Sequence, residues 1–235
     1  MFLLDLKGYG YSLLEGTLVT IESAVLSLAV AVVLGMVGAL AKTSRSGLAR
    51  FIANVYTTII RGIPDLVLML FVFFGGQMLL NQIAPLLGYE DYIDVSAFTA
   101  GVGTIGFIYG AYMTETFRGA ILAVPAGQLE AGQAFGMSRS QVFRRILLPQ
   151  AVRHAIPGFG NNWLVLLKTT ALLSVLGVDD MLRKASLAAG ATREPFTFYF
   201  AVALIYLLLT AVSTVLLEWA ERRSNLAYGR HAHGF

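Results

Sequence analysis

The sequence predicts an all-α integral membrane protein with five transmembrane helices, N-out and C-in, and one long polar excursion on the cytoplasmic side. Three observations carry this. Of 235 residues, 57% are hydrophobic and only 13% charged, about half the charge of a soluble domain, and the mean hydropathy is +0.70. The runs 24–41, 95–114 and 196–217 hold no charged residue, and a helical span needs about 20 apolar residues. The basic residues fall unevenly on the segments between the spans. There is no cysteine, so disulfide and thiol chemistry are excluded. Asp5 and Lys7 stand in a start without a basic n-region or small-residue cleavage site, so no cleaved signal peptide is expected.

The elements follow in order as one transmembrane domain over 1–235. Residues 1–15 form an amphipathic lead-in. The first span covers 16–41; Gly35 and Gly38, three apart, suit close helix packing. A basic loop runs from Lys42 to Arg50. The second span, 52–80, is interrupted at Arg61-Gly62-Ile63-Pro64-Asp65, where Pro64 removes a backbone donor and bends or breaks the helix. Residues 81–96 form an acidic loop with Glu90, Asp91 and Asp94. The third span covers 95–121 and is stopped by Val124-Pro125-Ala126-Gly127. A loop at 122–154 follows. The fourth span, 155–176, reads as irregular because Pro157, Gly158, Gly160, Asn161, Asn162 and Lys168 interrupt it. A mixed-charge connector with a short helix leads to the last span, 196–217, and a polar tail.

Five spans put the termini on opposite sides. With the N-terminus outside, Lys42, Arg45, Arg50, Arg118, Arg139, Arg144, Arg145, Arg153, Arg222, Arg223 and Arg230 lie inside, against Lys7, Arg183, Lys184 and Arg193 outside. That asymmetry sets the orientation and makes the 122–154 loop cytoplasmic. Its centre reads Glu130-Ala131-Gly132, then Ala134-Phe135-Gly136-Met137, and closes on Ile146, Leu148 and Pro149. The small residues Ala131, Gly132, Ala134 and Gly136 let a short helix approach another protein closely. Glu130 supplies a polar contact or a cap, Phe135 and Met137 are apolar anchors, and Arg139, Arg144 and Arg145 form a solvated basic face. An amphipathic helix lying on anionic lipid satisfies the same composition. No phosphate-binding loop occurs. Metal-ligand spacing is also missing: His154, His231 and His233 are isolated or in the tail. With no nucleophile–base pair either, no catalytic residue and no metal site are expected, and transport energy must come from another chain or an ion gradient.

The Glu130–Pro149 spacing resembles the EAA loop of the membrane subunits of bacterial ABC importers, departing from it only at Gly132, where the pattern has Ala. Five further stretches extend the resemblance to the polar amino acid permease family: Arg61-Gly62-Ile63-Pro64, Ala111 to Gly119, Val124-Pro125-x-Gly127-Gln128, Leu148-Pro149-Gln150-Ala151-x-Arg153, and Asn161-Asn162-Trp163 through Thr170. Within that family the chain is most like the Q-type subunit of histidine/lysine/arginine/ornithine importers, and similar to opine permease subunits. The resemblance implies a type I importer in the bacterial inner membrane. Its parts are two ATPase subunits, which bind the ATP and Mg, a periplasmic amino-acid-binding protein, and a homologous M-type membrane partner in a heterodimer. This chain then holds no cofactor, hydrolyses nothing, binds no nucleic acid, and carries the ATPase-docking helix in a multi-pass bilayer protein.

Charged residues in spans are expensive and mark partners or pathways. Glu22, Asp65 and Glu115 are candidates for a cationic amino acid pathway, with Asn161, Asn162 and Trp163 as polar contacts on an unwound helix. Each has a plainer reading: Glu22 snorkelling, Asp65 paired with Arg61, Glu115 paired with Arg118, and the asparagines bonding between helices. In several relatives of this family the position matching Asn162 is acidic and faces the substrate, whereas here it is a neutral amide, so the M-type partner is expected to supply the main acidic ligand. The rival is a secondary amino acid transporter driven by an ion gradient, which calls for two matching broken helices and inverted repeats.

Overall fold

A computed structural model describes residues 6–89 and 91–226, and these are helical with short connections. Asp5, Glu90, Arg230, His231 and His233 lie outside the described residues. In chain order the helices are α1 (Gly10–Thr43), α2 (Gly47–Gly62), α3 (Asp65–Leu70), α4 (Gly76–Ile83), α5 (Ala97–Leu122), α6 (Ala126–Ala134), α7 (Arg139–Val142), α8 (Leu148–Thr169), α9 (Met181–Thr192) and α10 (Pro195–Leu226). A π-helical turn, Phe71–Gly75, joins α3 to α4, and a second, Phe143–Leu147, joins α7 to α8. Among the described residues three helical stretches are long and apolar enough to cross a membrane: Gly10–Thr43, Asp65–Leu87 and Pro195–Ser224. Helices α5 and α8, of 26 and 22 residues, have the length and carry more glycine and polar side chains.

The second hydrophobic stretch is two helices rather than one kinked span. Ile63 and Pro64 are extended, with ψ of 139° and 136°. Pro64 disfavours helix at the residue before it, so α2 ends and α3 restarts at Asp65. The fourth span corrects the sequence expectation in the opposite direction. Its helix begins at Leu148 and runs unbroken through Pro157, Gly158 and Gly160 to Thr169, so no backbone is unwound at Asn161–Trp163. Packing on both flanks explains the continuity. Gly158 lies against Thr116 of α5 and Gly160 against Leu217 of α10, so tertiary contact overrides a weak local propensity.

Helix α1 packs along α5 through small residues. A β-carbon on Gly35 would overlap the Met113 side chain and approach the Met113 carbonyl carbon to 3.1 Å; one on Gly38 would overlap Thr114. Ser27 donates to the Val102 carbonyl at 3.1 Å between the same two helices. The buried residues Ala31, Ile105, Ile108, Met113, Leu166 and Leu173 join α1, α5 and α8 into one core. A second core holds α9 against α10 and the start of α1, around Leu13, Met181, Ala185 and Phe198. The segment after α4 is held by side chains rather than by a turn. Asn81 donates to the Ile93 carbonyl at 2.9 Å and accepts from the Ile93 N–H at 2.8 Å, while Gln77 accepts from the Val95 N–H at 3.0 Å.

In the connector between the last two spans, Asp180 is wholly buried and caps α9 by accepting from the Arg183 N–H at 2.9 Å. Its second oxygen, Oδ2, is buried without a hydrogen-bond partner. Burial disfavours the carboxylate and pushes its pKa up to about 6, against hydrogen bonds from the Arg183 and Leu182 N–H groups that pull it down.

Two outcomes follow from this packing. Gly35→Leu drives atoms into the α5 backbone and is expected to cost about 1–3 kcal/mol, read as a lower thermal midpoint in detergent, whereas Gly103→Ala, with open space around it, leaves the midpoint unchanged. The folded state holds the Asp180 proton more tightly than the unfolded chain. Its contribution to stability is therefore full below about pH 4, falls as pH rises through about 6, and is level above that. Asp180→Asn keeps the cap and is expected to remove this part of the slope when wild-type and variant melting curves are subtracted between pH 4 and 8.

Candidate functional site

The polar excursion folds into a compact helical hairpin. Helix α6 ends in a turn that depends on glycine: Gly136 has φ of +80°, the left-handed region that costs other L-residues roughly 1–2 kcal/mol. The Met137 N–H bonds to the Gly132 carbonyl at 3.1 Å and the Gly136 N–H to the Gln133 carbonyl at 2.9 Å, the paired bonds of a Schellman cap. Immediately beyond, Ser138 starts α7 with a capping box. Its hydroxyl accepts from the Gln141 N–H at 3.3 Å and its own N–H donates to Gln141 Oε1 at 2.8 Å.

The hairpin is locked to α8. A β-carbon on Gly132 would stand 2.5 Å from Ile146 Cδ1 and 3.3 Å from Val142 Cγ2, so Gly132 is where the two arms touch. Gln150 Nε2 donates to Gln128 Oε1 at 2.6 Å and ties α8 to α6. From Arg139 to Thr169 the chain is helical without interruption. The π turn at Phe143–Leu147 absorbs the hydrogen bond that Pro149 cannot make. The excursion is thus one rigid piece with α8.

Its outward face differs in part from the sequence expectation. Glu130, Ala131 and Ala134 share the exposed side of α6, and Phe135 stands 90% exposed at its tip. Gly132 is buried under Ile146 and presents nothing outward. Met137 is half-buried and its sulfur points back toward Gly132, so it holds the hairpin from within. Glu130 does not cap α6, whose N-cap is Pro125; it lies in mid-helix. Gly136 shapes the turn. Arg139, Arg144 and Arg145 are exposed, as a solvated basic face requires.

The six membrane candidates do not form one cluster. Glu22 is exposed on α1, off the stripe that packs on α5. Asp65 is half-buried at the start of α3, just past the break. It makes no ion pair with Arg61, because the extended Ile63 and Pro64 destroy the one-turn geometry such a pair needs. The Arg61 guanidinium lies instead over the Tyr112 ring, 5.4 Å from its centre. Glu115 is a hub. It pairs with Lys42 of α1 and, at 2.9 Å, with Arg118 one turn on, while Lys42 also donates to Thr57 of α2 at 2.6 Å. The Lys42 side chain is only 8% exposed. Consecutive helical residues point about 100° apart, which separates the other three. Asn161 faces a groove beside Thr214 and Leu217 of α10. Asn162 donates to Thr116 of α5 at 2.9 Å. Trp163 packs against the central core.

Sequence reasoning missed Lys42, Thr57, Arg61 and Tyr112, which with Glu115 line one polar cleft between α2 and α5. The signal available was Arg61 beside a helix break and Lys42 at the end of an uncharged run.

Comparison with known proteins agrees with this architecture. The family model described as "Binding-protein-dependent transport system inner membrane component" matches residues 31–225. The histidine/lysine/arginine/ornithine transport system permease protein HisQ of Escherichia coli K12 is 50% identical over 224 residues, 94% of this chain and 98% of HisQ. The octopine transport system permease protein OccQ of Rhizobium radiobacter is 43% identical over 217 residues, 92% of each chain. A crystal structure of an amino acid ABC transporter with histidines superposes with a TM-score of 0.81 at 31% identity, over 95% of this chain and 99% of that one.

The turn and the contact predict different tolerances. Gly132→Ala needs only a rotation of Ile146 and is expected to be neutral. Gly136→Val forces a β-branched residue to positive φ and should speed amide exchange across 126–147 about tenfold, as about 1–2 kcal/mol implies, in hydrogen-exchange mass spectrometry. Gly136→Asn should fall between, since Asn tolerates this region better.

Proposed function

The chain belongs to the family of binding-protein-dependent transport system inner membrane components, and from that premise we propose that it forms the lever and one half of the pathway of an ATP-driven importer of basic amino acids. It is a permease subunit of the ABC importer class, seated in the inner membrane. This displaces the gradient-driven rival. Work is supplied by partner ATPase chains, and substrate is delivered by a binding protein. The basic amino acid class is inferred from 50% identity to a histidine/lysine/arginine/ornithine permease over almost the whole of both chains. We assign N-out, C-in topology with five crossings, two ATPase subunits, and a homologous M-type partner beside this chain.

One observation carries the mechanism: the Glu130–Phe135 surface is rigidly continuous with α8. When the ATPases close on ATP, a docked α6 is displaced. Gly132 against Ile146, the Gln128–Gln150 bond and the unbroken 139–169 helix pass that displacement into the membrane. Alternation of access needs the ATPase to bind the two states with different affinity, and a loose loop would waste that difference. Phe135 is the anchor, since a large aromatic side chain 90% exposed offers the area that interface hot spots use.

Phe135→Ala alters no contact inside this chain and is expected to leave expression and melting unchanged. Co-purification of the ATPase should fall about tenfold or more, and ATP-driven arginine uptake into proteoliposomes holding the complete complex should be lost with it. Normal ATPase recovery by the variant overturns the docking assignment. No ATP-driven uptake of any basic amino acid by the wild-type complex overturns the substrate reading.

A further inference from the structure

The polar cleft between α2 and α5 is lined by two cations, Lys42 and Arg61, and one carboxylate, Glu115, and does not balance internally. Lys42 and Arg118 are both spent on Glu115. That leaves Arg61, which among the described residues has no carboxylate partner, only the face of Tyr112. Asp65, on the other side of the Ile63–Pro64 break, has no cation partner among the described residues. A guanidinium over an aromatic ring gains about 0.5–2 kcal/mol, and Arg61 remains exposed where it lines the cleft. The two opposite charges are neighbours in the chain, and the extended backbone keeps them from neutralising each other.

We propose that Arg61 and Asp65 read the zwitterionic head of a free α-amino acid, the guanidinium taking the α-carboxylate and the Asp65 carboxylate taking the α-ammonium. This deepens the importer reading above and rests on it. The guanidinium presents a planar fork that matches a carboxylate with two parallel bonds. The contact with Tyr112 holds the guanidinium beside the α5 face of the cleft before substrate arrives. The Lys42–Glu115–Arg118 group adds a net positive charge beside it, which favours the carboxylate end at Arg61 rather than at Asp65. The side chain of the amino acid is left for other groups, so this site selects amino acids as a class and not one among them.

The test uses the assembled complex in nanodiscs of phosphatidylglycerol, which keeps the zwitterionic headgroup of ethanolamine lipid out of the measurement. Equilibrium binding of radiolabelled L-arginine is measured without nucleotide or binding protein. Arg61→Gln and Asp65→Asn are each expected to weaken it about tenfold or more, in keeping with loss of a charge-assisted hydrogen bond. Arg61→Lys should give an intermediate loss. On wild type, argininamide and agmatine, which lack the carboxylate, should compete at least about tenfold more weakly than arginine, a comparison that needs no variant to fold. That margin should shrink toward one in Arg61→Gln. Equal competition by argininamide on wild type overturns the proposal. So does unchanged binding to Arg61→Gln, or absence of arginine binding to a wild type that imports it. A wild type that imports no amino acid under ATP instead overturns the importer reading.

Discussion

The close contact of α1 with α5 is the constraint on which the rest of this structure depends. Inside a bilayer no hydrophobic driving force brings helices together, so packing at short range has to do so. Gly35 and Gly38 let the α1 backbone meet α5 where Met113 and Thr114 fill the space a β-carbon would take. That approach brings Lys42, near the end of α1, within reach of Glu115 on α5 and Thr57 on α2. Three helices are thereby tied at one ionic point that long side chains could not reach across a wider gap. The desolvation that makes such a pair costly is offset because Glu115 also accepts from Arg118 and no charge in the group is left alone.

A second economy of small residues operates in the polar hairpin, with a different physical basis at each position. Gly132 is small because Ile146 needs the room. Gly136 is glycine because the backbone turns left-handed there. Alanine at the first position asks only for a flexible methyl to rotate, so the one departure of this chain from the EAA spacing is physically slight. The closing Ile146-x-Leu148-Pro149 acquires a reason as well: Ile146 is the contact on Gly132, and Pro149 follows the π turn that accommodates it. The spacing between Gly132 and Ile146 is the length of a turn, a cap and a short helix folded back on α6.

Hydropathy and spacing made the helical class, close packing at Gly35 and Gly38, the stop at Val124–Gly127, the break at Pro64 and a short helix in the 130–149 segment legible in the sequence, because each is a local or periodic property of the chain. The direction in which a side chain points was not. Asn161, Asn162 and Trp163 read as one polar patch only if the helix is unwound. On the continuous α8 they face α10, α5 and the core. Pro157 and the glycines look like breakers in isolation, and only the flanking Thr116 and Leu217 reveal why the helix survives them. Arg61 and Asp65 have the spacing of an ion pair, and what separates them is the backbone between. Asp180 carried no sequence signal at all, since its segment is buried against Gly16 and Thr20 of α1, distant in the chain.

The hairpin and the cleft are connected by contacts already described, and the order of those contacts decides how a push at α6 is received. Motion of α6 reaches α8 through Ile146 and Gln150. Helix α8 meets α5 at Thr116, where Asn162 bonds it and Gly158 packs on it. The neighbouring residue on α5 is Glu115, which holds Lys42 and, through it, Thr57 of α2. Helix α2 ends at Arg61 and Gly62. Up to that point every step is a packed helix or a bonded pair, and packed helices shift between discrete arrangements rather than deform smoothly. At Ile63 the backbone is extended between the two helices, while Pro64 is fixed in φ by its ring and its carbonyl accepts from the Leu68 N–H of α3 at 3.1 Å. On the proposed mechanism, displacement delivered to α2 would be taken up at Ile63, between Arg61 and Asp65. A substrate held by both, as proposed, would be gripped or released by that change, which would make the break in the second span the place where mechanical work and affinity meet.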